Sequence, residues 1–132
     1  MPRLSGAGVD LLPIVTVQIN KGKLTTPPFE VIVDSGSPNC LFNGEIASLI
    51  GIADITAGPH TTTGGVAPGA ELDLYEHDVR LVIGADNYRI NAYFANELPV
   101  PGLLGRRGFF DQFHVTFNPD RQALELVRFH SH

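Results

Sequence analysis

The apolar run Val31-Ile32-Val33 ends directly on Asp34-Ser35-Gly36. Proline precedes the run and glycine follows it, so it reads as a short buried strand bounded by turns. Its last residue carries a carboxylate out of the core. An acid is almost never left fully buried without a partner. The fold must therefore open a cleft or a solvent-facing turn where this strand stops. Asp-Ser-Gly is also ordinary turn chemistry, with glycine supplying backbone freedom and Asp and Ser bonding locally. A structural turn and a carboxylate presented for chemistry both satisfy the local pattern.

The rest of the chain points to β structure around that strand. With 132 residues, it is long enough for one domain with its own core. Its residues are 43% hydrophobic and 17% charged, a balance that favours a folded chain over a disordered one. Fourteen glycines and ten prolines supply many turns. Residues 13–20 alternate, with Ile14, Val15, Val17 and Ile19 apolar and Thr16, Gln18 and Asn20 polar, which predicts a strand with one buried face. Residues 29–33 pair with it as a hairpin. Asn43 is a plausible N-cap, and Ile46, Leu49 and Ile50 share a face, so the spacing predicts a helix over 43–50 stopped by Gly51. Further strands are expected at 70–74, 77–83, 88–94, 113–117 and 123–127. Turns are expected at Ala85-Asp86-Asn87 and Asn118-Pro119-Asp120-Arg121. One or two helical turns are expected over 107–112. Residues 1–10 read as a flexible arm ahead of a single domain over 11–132.

Several function classes are disfavoured. The formal charge is −5, and Arg106-Arg107 is the only adjacent basic pair, so nucleic acid is not an expected partner. No apolar stretch reaches the roughly 18 residues of a membrane span, and residues 1–10 lack the apolar segment of a signal peptide. A soluble, cytoplasmic protein is the expectation. Cys40 is the single cysteine and sits beside Leu41 and Phe42, which reads as a small core residue. The histidines His60, His77, His114, His130 and His132 form no short metal-ligand motif with it, so neither metal nor cofactor is expected.

A second segment changes the weight of the first. Val31-Ile32-Val33-Asp34-Ser35-Gly36-Ser37 resembles the catalytic turn of retroviral-type aspartic peptidases, the retropepsins. Leu103-Leu104-Gly105-Arg106 resembles that family's pair of apolar residues followed by glycine. Between them, Thr61-Thr62-Thr63-Gly64-Gly65-Val66 resembles a flap hairpin. The order of parts spans roughly residues 12–128. The expected helix at 43–50 and the closing strand are more similar to bacterial and cellular members, and to the peptidase domain of DNA-damage-inducible proteins, than to viral ones. The resemblance implies an all-β, retropepsin-like closed barrel of short strands with a flap hairpin and one or two short helices. It also implies that 103–106 threads behind the catalytic turn.

The implied activity is an aspartic endopeptidase. Two carboxylates held close cannot both ionise readily, so they share a proton, one acting as base toward water and the other as acid toward the peptide carbonyl. No other aspartate or glutamate here follows an apolar run and precedes Ser-Gly or Thr-Gly. The resemblance therefore implies a homodimer in which each subunit gives one Asp34, acting on a peptide or protein substrate. Ser35, Gly36 and Ser37 would shape the turn. Thr63, Gly64, Gly65, Val66 and Leu104 would belong to the flap and substrate-binding surface. Pro38 stands where viral members often carry an acid, and Arg107-Gly108 stands where Asn or Asp often follows the arginine. The alternative is a non-catalytic dimeric binding or assembly domain of the same fold. The segment Asp34-Ser35-Gly36-Ser37-Pro38 also mimics the nucleophile segment of chymotrypsin-like serine peptidases. That reading fails on order, because His60 lies downstream of Ser35.

Overall fold

The computed structural model describes residues 2–5 and 8–11 as backbone, and 13–63, 71–121 and 123–129 in full. The first strands, β1 (Pro2–Ser5) and β2 (Gly8–Leu11), form an antiparallel ladder of their own within the N-terminal arm. Eight strands make the main sheet: β3 (Ile14–Lys21), β4 (Leu24–Thr25), β5 (Phe29–Val33), β6 (Leu41–Asn43), β7 (His60–Thr62), β8 (Asp73–Ile83), β9 (Asp86–Ala95) and β10 (Gly102–Leu104). The spatial order is β4-β3-β5-β10-β6-β9-β8-β7, and β3 also pairs with β8. That extra pairing closes a six-stranded barrel from β3, β5, β10, β6, β9 and β8. A separate ribbon, β11 (Phe113–Asn118) with β12 (Ala123–Arg128), packs Val115, Leu124 and Leu126 against the core. No helix among the described residues is long and apolar enough to cross a membrane.

Period-two alternation fills the barrel. Val15, Val17 and Ile19 of β3 point inward, as do Val31 and Val33 of β5, Val79, Leu81 and Ile83 of β8, and Tyr88, Ile90, Ala92 and Phe94 of β9. Cys40 is fully buried among them, and burial pushes its thiol up to about 12. It is a packed core residue, as its neighbours predicted. Among the described residues, Thr26 is one of two buried polar ones, the other being Ser37. The Thr26 hydroxyl accepts from the Ile19 N–H at 3.0 Å, and its own N–H donates to the Ile19 carbonyl at 2.9 Å. The short helix α1 (Gly44–Ser48) begins where expected: the Asn43 side chain accepts from the Glu45 N–H at 2.8 Å.

The three-residue strand β10 has the least local topology. It runs parallel to β5 on one side, with Leu104 opposite Val33, and antiparallel to β6 on the other, with Leu103 opposite Leu41. The chain thus passes between two strands that the Asp34 turn connects, confirming the expected threading. Glycine makes this possible at both ends of β10. A Cβ on Gly105 would lie 2.3 Å from the Asn39 carbonyl oxygen and 2.5 Å from that of Ser37. A Cβ on Gly102 would lie 2.7 Å from the Phe42 ring.

Several expectations are corrected. The helix is shorter than 43–50, because Leu49 is 49% exposed and the chain turns at Gly51 with φ +85°. Its apolar contact to the core comes from Ala47, with Ile46 partly buried, and Ile50 just past its end is buried as well. The strands expected at 70–74 and 77–83 are one strand, β8, described from Asp73. The turn after it is Gly84-Ala85, since Ile83 pairs with Asp86 and Gly84 takes φ +57°. Asp86 and Asn87 therefore belong to β9. Residues 107–112 form consecutive turns, with mixed hydrogen-bond spacings such as Phe110 N–H to Gly105 and Gln112 N–H to Phe109, and no regular helix.

Two substitutions test this account. Gly105→Ala should destabilise by about 3 kcal/mol, because a methyl group would collide with backbone carbonyls that cannot swing aside. Thr26→Val should cost about 1–3 kcal/mol by leaving the buried Ile19 N–H unpaired. Urea unfolding of each variant measures both, and a change under about 0.5 kcal/mol would contradict either explanation.

Candidate active site

Asp34 follows β5 immediately and is held by its main chain from both directions. Its N–H donates to the Leu104 carbonyl at 2.9 Å, and its own carbonyl accepts from the Ser37 N–H at 3.0 Å. Its Oδ1 accepts from the Gly36 N–H at 2.9 Å, which closes the turn over the carboxylate. A Cβ on Gly36 would stand 3.1 Å from that same oxygen, so glycine leaves room for the contact. Asp34 is half-buried, whereas Ser35 and Gly36 are exposed. Among the described residues, neither Asp34 Oδ2 nor the Ser35 hydroxyl has a hydrogen-bond partner. One carboxylate oxygen is thereby fixed, and the other is left without a partner among the described residues.

Ser37 turns inward. It is 8% exposed, and its hydroxyl donates to the Asn39 carbonyl at 2.7 Å. The segment after β10 stitches onto this stretch: Arg106 N–H donates to the Ser37 carbonyl at 2.9 Å and Arg107 N–H to that of Pro38 at 3.0 Å. Asn39 and Arg107 form a parallel β-bridge. The side chains then divide. Arg106 Nη1 donates to the Ser35 carbonyl at 3.2 Å, and Arg107 Nε donates to Asn39 Oδ1 at 3.0 Å. The arginine of the second motif is thus tied to the turn through a carbonyl. Asn39 serves its neighbour instead.

A cleft of about 570 Å³ opens beside this stretch. Its floor runs along Ser37, Pro38, Asn39 and Leu41, and β7 with Thr63 forms a wall. Asp34 stands at its edge, outside its lining. Thr63 continues the β7–β8 pairing: its N–H donates to the Leu72 carbonyl at 3.1 Å and its hydroxyl accepts from the Leu72 N–H at 3.0 Å. The strand that β7 pairs with is thus β8, with Thr62 opposite Asp73, and not the residues directly after a Gly64-Gly65 turn. The expected hairpin tip, Gly64, Gly65 and Val66, lies outside the described residues.

Leu104 is not where a substrate-lining residue must be. It has 0% exposure and belongs to the barrel interior. Alternation sends its neighbour Leu103 to the opposite face, half-buried against a second apolar cluster built on Leu41, Leu74, Ala95 and Leu98. Two adjacent leucines cannot both face inward from a strand, and only the register with β5 and β6 decides which one does. Sequence reasoning also missed His60 and Tyr93, which line the cleft. His60 Nε2 lies 2.8 Å from Asp73 Oδ1, two residue pairs along the β7–β8 ladder. His77 bonds the Ile55 carbonyl at 2.7 Å, and His130 and His132 lie outside the described residues. Among the described residues, no three His, Cys, Asp or Glu side chains converge on a common point.

No protein-family model matches the chain, and no curated protein is significantly similar to it. Among solved structures, the chain is similar to a retropepsin-like aspartic protease from Rickettsia conorii. The identity is 19% and the TM-score 0.64, over 86% of this chain and 80% of that one. A likeness at this identity speaks for architecture: a mostly-β chain closed into a six-stranded barrel, with a short helix and a strand threaded behind the Asp34 turn, has a retropepsin-like fold.

Proposed function

We propose that this chain is an aspartic endopeptidase whose site is completed by a second copy of itself. The observation that carries the reading is Asp34. It is half-buried at the end of a barrel strand, with one oxygen held by the Gly36 N–H, the other unpartnered among the described residues, and a cleft that begins at Ser37 alongside. A single carboxylate cannot serve as acid and base in one step. Two-fold pairing of the same patch brings two together, and the exposed Ser35 hydroxyls on the paired turns are suited to bonding across the axis.

The chemistry follows from one shared proton. The ionised Asp34 takes a proton from water as the water oxygen attacks the peptide carbonyl carbon. The protonated Asp34 of the second copy gives its proton to the carbonyl oxygen. The tetrahedral diol then collapses, the C–N bond breaks, and a proton passes to the departing nitrogen. Both carboxylates return to the one-proton state. The β7–β8 hairpin is suited to cover the cleft, exclude water and hold the substrate backbone.

Asp34→Asn should abolish cleavage of a peptide library across about pH 3–7, the range in which a shared-proton dyad works, while sedimentation still reports the dimer. Cleavage surviving in the purified variant would overturn the mechanism. A wild-type dimer that cleaves nothing over that range would favour the non-catalytic assembly reading. A strict monomer at high concentration would remove the peptidase reading altogether.

A further inference from the structure

The cleft beside Asp34 and a second hollow of about 280 Å³ share Asn39, Tyr93 and Arg107. Together they outline a groove that starts beside the Asp34 turn, and Arg107 stands where the two hollows meet. This arginine is exposed yet held in place. Its N–H donates to Pro38, its carbonyl accepts from the Cys40 thiol at 3.5 Å, and its Nε donates to Asn39 Oδ1. The contact through Nε leaves the Nη1/Nη2 end of the guanidinium open.

Most other charges along the groove are engaged, and Glu76, which lines the same cleft, makes no ion pair with Arg107. Arg89 pairs with Asp78, His60 with Asp73, and Asp111 accepts the Gly108 N–H. Glu76 lies on β8, opposite Tyr93 of β9, which in turn neighbours Leu41 of β6. Two strand spacings separate it from the β6 line, roughly 10 Å. Among the described residues, no carboxylate lies within 4.0 Å of Arg107. A pre-oriented guanidinium with a free fork suits a carboxylate, which it binds through two parallel N–H bonds.

We infer that Arg107 is a specificity-determining residue, and that the groove takes extended peptides carrying Glu or Asp opposite it. The inference rests on the reading of the cleft as a peptide site. Asn39, the partner of Arg107, is five residues beyond Asp34 and so at most about 18 Å along an extended chain. The acidic side chain therefore falls within about five residues of the bond that is cut.

The test separates binding from cleavage. Full-length protein carrying Asp34→Asn is titrated with two fluorescein-labelled decapeptide pools, randomised except for one fixed central Glu or Gln. The Glu pool should bind roughly fivefold tighter, the scale of an exposed but well-aligned ion pair. Adding Arg107→Gln should bring the ratio to about one, and Arg107→Lys should restore part of it. Equal binding of the pools, a ratio unchanged by Arg107→Gln, or binding of neither pool overturns the inference. Wild-type cleavage with no acidic enrichment near the cut bond overturns it too, while leaving the peptidase reading standing. Arg107-dependent acidic preference without cleavage at any pH does the reverse.

Discussion

The structure depends on a three-residue strand lying between two others. β10 takes parallel bonds from β5 and antiparallel bonds from β6, so it joins the two sides of the Asp34 turn that the chain itself leaves open. The same insertion fixes the acid, because the Leu104 carbonyl receives the Asp34 N–H. It also sets Arg106 and Arg107 against Ser37 and Pro38 by two further main-chain bonds. The closeness needed for this leaves no room for a side chain at residue 105, where two carbonyl oxygens already occupy the space of a Cβ. Barrel closure and placement of the carboxylate are therefore one constraint.

Much of that was legible in the residues because it is local. The alternation in β3 and β9 declares which residues face inward, and the observed interior follows it from Val15 to Ile19 and from Tyr88 to Phe94. Asn43 caps its helix with the side-chain bond its chemistry predicts. Cys40 is buried, as its apolar neighbours imply.

What was not legible is set by pairing between distant segments. Leu103 and Leu104 are chemically identical, and only the register against Val33 and Leu41 decides that Leu104 goes inside. The turn between β8 and β9 falls on Gly84-Ala85 because nine strand pairs fix it there, against the polar signal of Asp86-Asn87. Leu49 fits the helical face but lies past the last helical residue. The partnership of Arg107 with Asn39 spans 68 residues and has no signature in sequence at all.

The site divides its labour between two kinds of support. The stretch from Asp34 through the cleft floor at Asn39 is held by main-chain bonds to Leu104, Arg106 and Arg107, each between 2.9 and 3.0 Å. Reacting groups need such fixed placement, since small displacements of a carboxylate cost much of its effect. The opposite wall is β7, three exposed residues held by β8 alone, with Thr63 adding one side-chain bond. A wall with so little burial opens at low free-energy cost, which suits a surface that must admit a chain and close over it. Rigidity therefore sits under the carboxylate and compliance sits across the cleft. Arg107 belongs to the rigid side. Its position is set by the backbone that positions Asp34, so any preference it imposes on a bound chain keeps a fixed distance from the acid.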